Sequence, residues 1–262
     1  MTLTFTGTAS GVPVPHRRHA SLLVEQGSTM HLIDAGEGIA AALSASGNVL
    51  SDVACLWISH THADHVSGLP MLLQAMHLAK RRRRFDILVP PGRELWFERW
   101  LEGMYMYSET RSFPLFISAY DTTVNNEDLL VQAIPNRHLD RVRERAAAYG
   151  VPSQAWSFVL RAQGCTLLVT SDIAGMEDIA EQLPGIDALV ADSTHVPITE
   201  LFALATKHPR LGMFCTHIPP ELEPQLAALK LRSKSECDGR LVVAHDGMKV
   251  SMETDGTWRQ EA

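Results

Sequence analysis

Apolar segments of four to six residues recur along the chain, and polar or glycine-rich stretches separate them. In the first part this pattern predicts strands at residues 3–8, 21–25, 30–34 and 53–58, with a small-residue helix at 39–46. Later strands are predicted at residues 87–89, 129–134, 157–160, 166–169, 188–191, 212–215 and within 239–250, with helices at 69–78 and 92–101. Such an order fits two packed sheets covered by helices. Because no linker or low-complexity stretch interrupts it, we expect one domain over residues 1–262.

A dense cluster of ligand-type residues follows the predicted strand at 53–58. Its sequence is Ser-His-Thr-His-Ala-Asp-His, and an apolar helical face comes directly after it. Neutral imidazoles and a carboxylate are the usual ligands of zinc and related divalent ions. His60 and His62 can point at one ion, and Asp64 and His65 at a second beside it. The alternative, a polar loop that is rich in histidine by chance, explains so dense a cluster poorly.

Three later loops repeat this placement. His138, Asp172 and His217 each lie just beyond an apolar strand. Taken alone, His138 or His217 would more often be an ordinary surface or core histidine. Their common position at strand ends predicts that they meet the first cluster at one edge of the sheets.

The pattern His-x-His-x-Asp-His resembles the signature of the metallo-β-lactamase-fold hydrolases, and the resemblance extends over nearly the whole chain. It implies an α/β fold, the four-layer αββα sandwich, with the site along one edge. It also implies a cofactor of two divalent ions, zinc first, with manganese or iron also compatible with such ligands. The implied ligands are His60, His62 and His138 for one ion, Asp64, His65 and His217 for the other, and Asp172 as a bridge.

Shorter motifs resemble the phosphodiesterase branch of this superfamily. Residues 5–13 and 32–38 resemble ribonuclease Z, whereas residues 170–172, 192–195, 215–218 and 244–248 resemble the cyclic phosphodiesterase of phosphonate degradation. Two departures stand against transferring either activity. Residues 12–19 contain no cysteine for the extra zinc site of that phosphodiesterase, and no glycine-rich arm like that of ribonuclease Z is evident.

The resemblance implies a hydrolase acting on a cyclic phosphate, a nucleotide or an RNA-type phosphodiester. Its catalytic residues would be Asp64, Asp172, which helps to hold the nucleophile, and His195, which assists departure of the leaving oxygen. For His195 the alternative is a solvent-exposed loop histidine. Asp34, at another strand end, would orient a metal histidine, or else serve only as a turn carboxylate.

Two other functions remain open at this point. The same ligands would serve a metal-dependent esterase, thioesterase or lactonase. A non-catalytic RNA-binding relative could also keep the fold, although a complete ligand set argues against it.

The composition of the chain bears on which partners it can bind and on where it is located. The chain has 262 residues, 45% hydrophobic and 20% charged, with a net charge of −7, so no global basic field attracts nucleic acid. No apolar run approaches the ~20 residues of a membrane span. Because the N-terminus lacks the features of a secretory signal and the four cysteines form no CxxC pair, we expect a reduced, cytoplasmic protein.

Partners and surfaces are less defined by the sequence. We expect a small phosphodiester or RNA as substrate and no membrane partner, and a homodimer stays open because relatives are often dimers. The basic run at residues 80–84 is either a solvated helix end or a contact for polyphosphate or RNA. The aromatic and methionine stripe at residues 96–107 is core, lid or dimer face.

Overall fold

The computed structural model describes residues 1–45, 49–121, 123–126 and 129–261. Its strands are β1 (Thr2–Gly7), β2 (Ser21–Gln26), β3 (Thr29–Ile33), β4 (Val53–Trp57), β5 (Phe85–Val89), β6 (Leu115–Ala119), β7 (Thr123–Asn126), β8 (Leu129–Asn136), β9 (Ala155–Ala162), β10 (Cys165–Val169), β11 (Ala188–Asp192), β12 (Gly212–Thr216), β13 (Leu241–Val243), β14 (Lys249–Met252) and β15 (Trp258–Gln260). Within the described ranges they form an eight-stranded sheet, in the order β15-β14-β1-β2-β3-β4-β5-β6, and a seven-stranded sheet, in the order β13-β12-β11-β10-β9-β8-β7.

Helices cover the outer faces of both sheets. They are α1 (Ile39–Ala45), α2 (Val49–Asp52), α3 (Ala63–Val66), α4 (Leu69–Leu78), α5 (Glu94–Gly103), α6 (Arg143–Ala148), α7 (Ile198–Lys207) and α8 (Leu226–Glu236). Short 3₁₀ turns occupy His138–Val142, Met176–Asp178 and Pro220–Gln225. No helix in the described part of the chain combines the length and the apolar character that crossing a membrane requires.

Three buried apolar clusters lie between adjacent layers of the four-layer structure. The first lies between the sheets and includes Phe5, Trp57 and Phe158. The second joins the larger sheet to α1, α4 and α5, and the third joins the smaller sheet to α7 and α8. The predicted four-layer αββα fold is therefore confirmed.

Strand β4 shows why its sequence is continuously apolar. Cys55 and Trp57 face the other sheet, whereas Leu56 faces the helices, because successive side chains of a strand point to opposite faces. The strand pairs in parallel with β3 and β5, so both of its faces are buried.

Several element bounds differ from the prediction. Helix α5 begins at Glu94 rather than at Gly92, whose positive φ of 82° is incompatible with helix. Strand β8 continues through Pro135 to Asn136, and β15 had no predicted counterpart. The predicted helix at 39–46 is α1, but its last residue lies outside the described residues.

The stripe at residues 96–107 is divided between core and surface. Phe97 is fully buried in the second cluster, and Trp100 packs against that cluster. Tyr105 is 80% exposed and Trp96 is 42% exposed. The stripe therefore belongs partly to the core, and its outer members form a surface.

The basic run at residues 80–84 contains a buried structural arginine. Arg81 is 3% exposed, so the expectation of a wholly solvated helix end is wrong for this residue. Its guanidinium donates to five backbone carbonyl oxygens at 2.7–2.9 Å, those of Leu50, Ser51, Val53, Arg83 and Arg84. Arg84 is exposed and pairs with Asp86. The side chain of Arg81 thus connects the segment that leads into β4 with the segment that leads into β5.

Replacing Arg81 with lysine should destabilise the protein. An ammonium group has three donors and cannot reach five carbonyls, so buried acceptors lose their partners and unfolding becomes easier by about 2 kcal/mol or more. The measurement is urea unfolding of the metal-free protein. The exposed neighbour supplies the control, because Arg82→Lys should stay within about 0.5 kcal/mol of wild type. Equal stability of the two variants would contradict the structural role of Arg81.

His31 on β3 makes stability depend on pH. The side chain is fully buried, and its Nδ1 accepts a hydrogen bond from Trp57 Nε1 at 3.3 Å. Burial lowers the pKa of His31 from 6.5 to about 4. Between these values the unfolded chain takes up a proton and the folded chain does not. Stability is therefore lost as pH falls from 6.5 toward 4, by at most about 3 kcal/mol.

The variant His31→Asn keeps an acceptor but does not titrate, so its stability should fall less over this pH window. The comparison is urea unfolding of metal-free wild type and variant between pH 7 and pH 4. Parallel pH curves for the two proteins would show that His31 is not the group responsible.

Candidate metal centre

Parallel strands from both sheets end at one edge of the molecule, and their following loops carry the predicted site residues. Strand β4 leads to His60, β10 to Asp172 and β12 to His217. His138 follows β8, which runs in the same direction as β10 because both are antiparallel to β9. The structure brings all seven predicted ligands together at this edge.

Three imidazoles form the first ligand group. His62 Nδ1 lies 3.0 Å from His60 Nε2 and 3.2 Å from His138 Nε2. Asp172 Oδ2 lies 3.6 Å from His138 Nε2 and 3.8 Å from His60 Nε2. Nitrogens around a tetrahedral zinc at 2.0–2.1 Å would be about 3.3 Å apart. The spacing of this group therefore fits one divalent ion.

The second group contains more carboxylate. His217 Nε2 lies 3.1 Å from Asp64 Oδ2, and His65 Nε2 lies 3.2 Å from Asp172 Oδ1. Asp172 is a member of both groups, so its two oxygens face different sets of histidines. This is the geometry that a bridging ligand requires.

Two buried atoms at the centre of this arrangement lie 3.2 Å apart, but neither forms a hydrogen bond of suitable geometry with any residue that the structure describes. They are His65 Nε2 and Asp172 Oδ1. An unsatisfied buried polar atom costs about 1–3 kcal/mol. A cation between the two groups would satisfy both atoms, so the residues present fit a metal.

The two groups differ in protonation. Burial, together with the neighbouring histidines, lowers the pKa of His60 well below 6.5, and burial lowers that of His138 to about 4. Both therefore stay neutral, as metal ligands must. At His217 burial acts to lower the pKa, but Asp172, Asp192 and Asp64 outweigh it and raise the value to about 10. The second group thus attracts positive charge, which protons or a metal can supply.

Asp34 holds one of the histidines from behind. Its Oδ2 accepts a hydrogen bond from His65 Nδ1 at 2.7 Å, and its Oδ1 accepts one from Ser59 N at 2.7 Å. Donation from Nδ1 leaves Nε2 as the free lone pair of His65. Asp34 has φ of 59°, an uncommon conformation that turns the chain sharply at the end of β3. Its contacts match the orienting role expected for it rather than that of a simple turn carboxylate.

Asp192 is a residue that sequence reasoning missed. It is 1% exposed, and its carboxylate accepts from His195 Nδ1 at 2.7 Å and from His217 Nδ1 at 3.3 Å. Burial acts to raise its pKa, but these two histidines lower the pKa below the ordinary range. Its position at a strand end, like that of Asp34, was the signal that could have revealed it.

His195 lies at the rim of the centre. Its side chain is 22% exposed, its Nδ1 is 3.9 Å from Asp172 Oδ2, and its ring packs edge-on to His138. The hydrogen bond to Asp192 raises the pKa of His195 above 6.5, which favours the protonated form. A half-buried imidazole in this position can donate a proton to a molecule bound over the centre.

The motif at residues 244–248 anchors the loop between β1 and β2, residues 8–20, which we call the N-terminal loop. Asp246 Oδ1 accepts from Thr8 N at 3.0 Å and from Thr8 Oγ1 at 2.7 Å, and its Oδ2 accepts from Arg18 N at 2.7 Å. Between these anchors the loop passes over the second ligand group. A Cβ on Gly11 would lie 3.4 Å from Asp64 Oδ2, so the glycine lets the backbone approach the carboxylate closely.

The fold and the two ligand groups define a metallo-β-lactamase-fold hydrolase. The chain belongs to the family of the anti-Pycsar protein Apyc1, whose family model matches residues 1–224. Among individual relatives, a ribonuclease Z of Haloarcula marismortui is 26% identical over 97% of both chains. Further ribonuclease Z sequences align over shorter stretches, which span between 27% and 76% of their own length.

Solved structures show the same fold. The metallo-β-lactamase-fold protein YhfI of Bacillus subtilis superposes with a TM-score of 0.74 over 95% of this chain and 98% of that one, at 16% identity. A diphosphatase of the PhnP family superposes with a TM-score of 0.69 over 96% and 98%, at 19% identity. The resemblance to this superfamily and to its ribonuclease Z branch is confirmed, as is the expectation of a metal-dependent hydrolase.

The number of ions bound by ligand variants should reflect the membership of Asp172 in both ligand groups. Wild type should hold about two divalent ions per chain, and His138→Ala about one, because His138 belongs to one group only. Asp172→Ala should hold the fewest, since both groups lose a ligand. Elemental analysis after dialysis measures these ratios, with His208→Ala, outside both groups, as control. Two tightly held ions in Asp172→Ala would contradict the shared ligand.

Proposed function

We propose that the protein is a phosphodiesterase with a dinuclear metal centre. The observation that carries this proposal is the double ligand group around Asp172, with His195 beside it. The names of the relatives support the substrate class, because ribonuclease Z acts on RNA and the PhnP-family protein is a diphosphatase. Cyclic phosphates, nucleotides and RNA-type phosphodiesters are the candidates.

The ligands would divide as the structure groups them. His60, His62 and His138 would hold one ion, and Asp64, His65 and His217 the other. Asp172 would contribute to both. Two divalent ions bound there, zinc first and manganese or iron next, would supply Lewis acidity that lowers the pKa of water and neutralises charge on phosphoryl oxygens.

The remaining steps belong to the chain's own residues. Asp172, held among the histidines, accepts a hydrogen bond from the attacking water and fixes its direction. Asp192 accepts from His195 Nδ1, so the ring is held in one orientation with Nε2 as its second proton-carrying atom. His195 then donates a proton to the leaving oxygen, which would otherwise depart as an unfavourable alkoxide.

The centre is partly shielded from solvent by neighbouring segments. The N-terminal loop, anchored by Asp246, lies against Asp64, and His60 and His65 are almost completely buried. A substrate therefore approaches from the side of His62 and His195, the more exposed members.

The proposal also includes a cytoplasmic location without a membrane partner. A homodimer stays open within it.

Hydrolysis of bis-p-nitrophenyl phosphate by the metal-loaded protein tests the proposal. His62→Ala should lose nearly all activity, because it removes one of the three histidine ligands of the first group. His195→Ala should lose about 10²- to 10⁴-fold in kcat while it keeps both ions, since it removes only proton transfer. His208→Ala is the matched control and should behave as wild type.

The outcomes separate the alternatives. Loss of activity in His62→Ala supports the phosphodiesterase, and cyclic nucleotides, cyclic ribose phosphates and tRNA precursors are then compared as substrates. A loaded wild-type protein that does not hydrolyse phosphodiesters would favour an esterase, thioesterase or lactonase. A wild-type protein that binds no metal would favour a non-catalytic RNA-binding relative.

A further inference from the structure

Asp178 is a buried carboxylate that connects two ligand-bearing loops. It ends the 3₁₀ turn Met176–Asp178, and its side chain is only 1% exposed. Its Oδ2 accepts hydrogen bonds from Arg137 N at 3.1 Å and from Ala174 N at 2.8 Å. Its Oδ1 accepts from Arg137 Nε at 2.5 Å. One carboxylate therefore holds both loops through their backbones.

The two backbone donors stand next to metal ligands in the sequence. Arg137 directly precedes His138, and Ala174 is two residues after Asp172. These two ligands face each other, with His138 Nε2 at 3.6 Å from Asp172 Oδ2. The contacts of Asp178 therefore connect the two chain segments that carry His138 and Asp172.

Other hydrogen bonds hold the same loops lower down, where they leave the sheet. Asn136 Oδ1 accepts from His138 N, and Asn136 Nδ2 donates to Ser157 Oγ, both at 3.1 Å. Ser157 Oγ in turn donates to Thr170 O at 2.6 Å. These hydrogen bonds hold the ends of the strands together, whereas Asp178 bonds to the loops beyond the strand ends.

The loop after β10 needs such support. Ser171 has φ of 47°, so the chain leaves the strand direction just before Asp172. A charged acceptor that binds two amides and a guanidinium is well suited to the task, because charge-assisted hydrogen bonds are roughly twice as strong as neutral ones. An asparagine has one acceptor oxygen, and its amide group would face an N–H donor instead.

We propose that Asp178 is a positioning residue of the metal centre, which sets the distance between His138 and Asp172 without touching an ion. This inference rests on the proposed dinuclear centre. Residues that support metal ligands from behind commonly change metal affinity by 10- to 100-fold when replaced. The ion of the His60, His62 and His138 group should be the one affected.

The decisive variant is Asp178→Asn, and the matched control is Glu177→Gln. Glu177 is the adjacent carboxylate, 80% exposed, and it lies 3.7 Å from the same arginine but accepts from neither loop amide. Zinc affinity is measured by competition with a chromophoric chelator, starting from metal-free protein. Asp178→Asn should bind one of its two ions about 10- to 100-fold more weakly, and Glu177→Gln should match wild type.

Two further readouts separate positioning from general stability. The lost hydrogen bonds should lower the thermal midpoint of the metal-free Asp178→Asn protein by a few degrees, so affinities are compared at about 25 °C, where both proteins are folded. The visible spectrum of the cobalt-loaded variant should change for one ion only. A merely structural role would lower the midpoint in the same way but leave the affinity per folded molecule and the cobalt spectrum unchanged, which would overturn the inference.

The failure of this inference is distinguishable from that of the proposed function. A wild-type chain that binds no metal defeats both. A wild-type chain with two ions, together with unchanged affinities in Asp178→Asn, defeats only the positioning role. If Asp178→Asn does not fold, Arg137→Gln decides, because it removes one contact to Asp178 and keeps both amides. A several-fold loss of affinity supports the inference, and wild-type affinity overturns it.

Discussion

The arrangement of this molecule depends on the balance of charge around one buried carboxylate. Asp172 is 2% exposed, and ring nitrogens of five histidines lie within 3.2–3.9 Å of its oxygens. A carboxylate cannot be buried so deeply without compensating positive charge. Because the five histidines come from four separate segments, those after β4, β8, β11 and β12, the balance can be reached only when both sheets bring their strand ends to one edge.

Much of this arrangement could be predicted from the sequence, for a physical reason. Parallel strands buried on both faces are continuously apolar, so their ends are easy to locate, and a polar residue at such an end must lie at the sheet edge. His217 was found by this rule at the end of parallel β12, where it also belongs to the motif at residues 215–218. His138 was found by its position after an apolar segment, although β8 is antiparallel to both of its neighbours. The alternation of strands and helices indicated two packed sheets covered by helices, and the resemblance to the metallo-β-lactamase fold implied the four-layer αββα sandwich.

The supporting residues could not be found in the same way. Asp178 acts through contacts that include a loop distant in sequence, and aspartates in loops are common. Asp192 does lie at a strand end, but its contact with His217 becomes evident only in the folded chain. Arg81 was part of a basic run that is typical of solvated helix ends, and only the packed structure shows its five carbonyl acceptors. Local pattern therefore locates groups that face the centre, whereas the groups behind them are defined by tertiary packing.

The pairing of β1 with β14 has a consequence for synthesis of the chain. Thr2 pairs with Ser251, so β1 leaves the ribosome long before the strand with which it pairs. At ordinary elongation rates that interval is on the order of ten seconds or more. Until then one edge of β1 has no neighbour, and the N-terminal loop has no Asp246 to hold it against the ligands. The nascent protein is thus exposed to edge-to-edge association during this interval, and the N-terminal loop can be held against the ligands only after Asp246 has emerged.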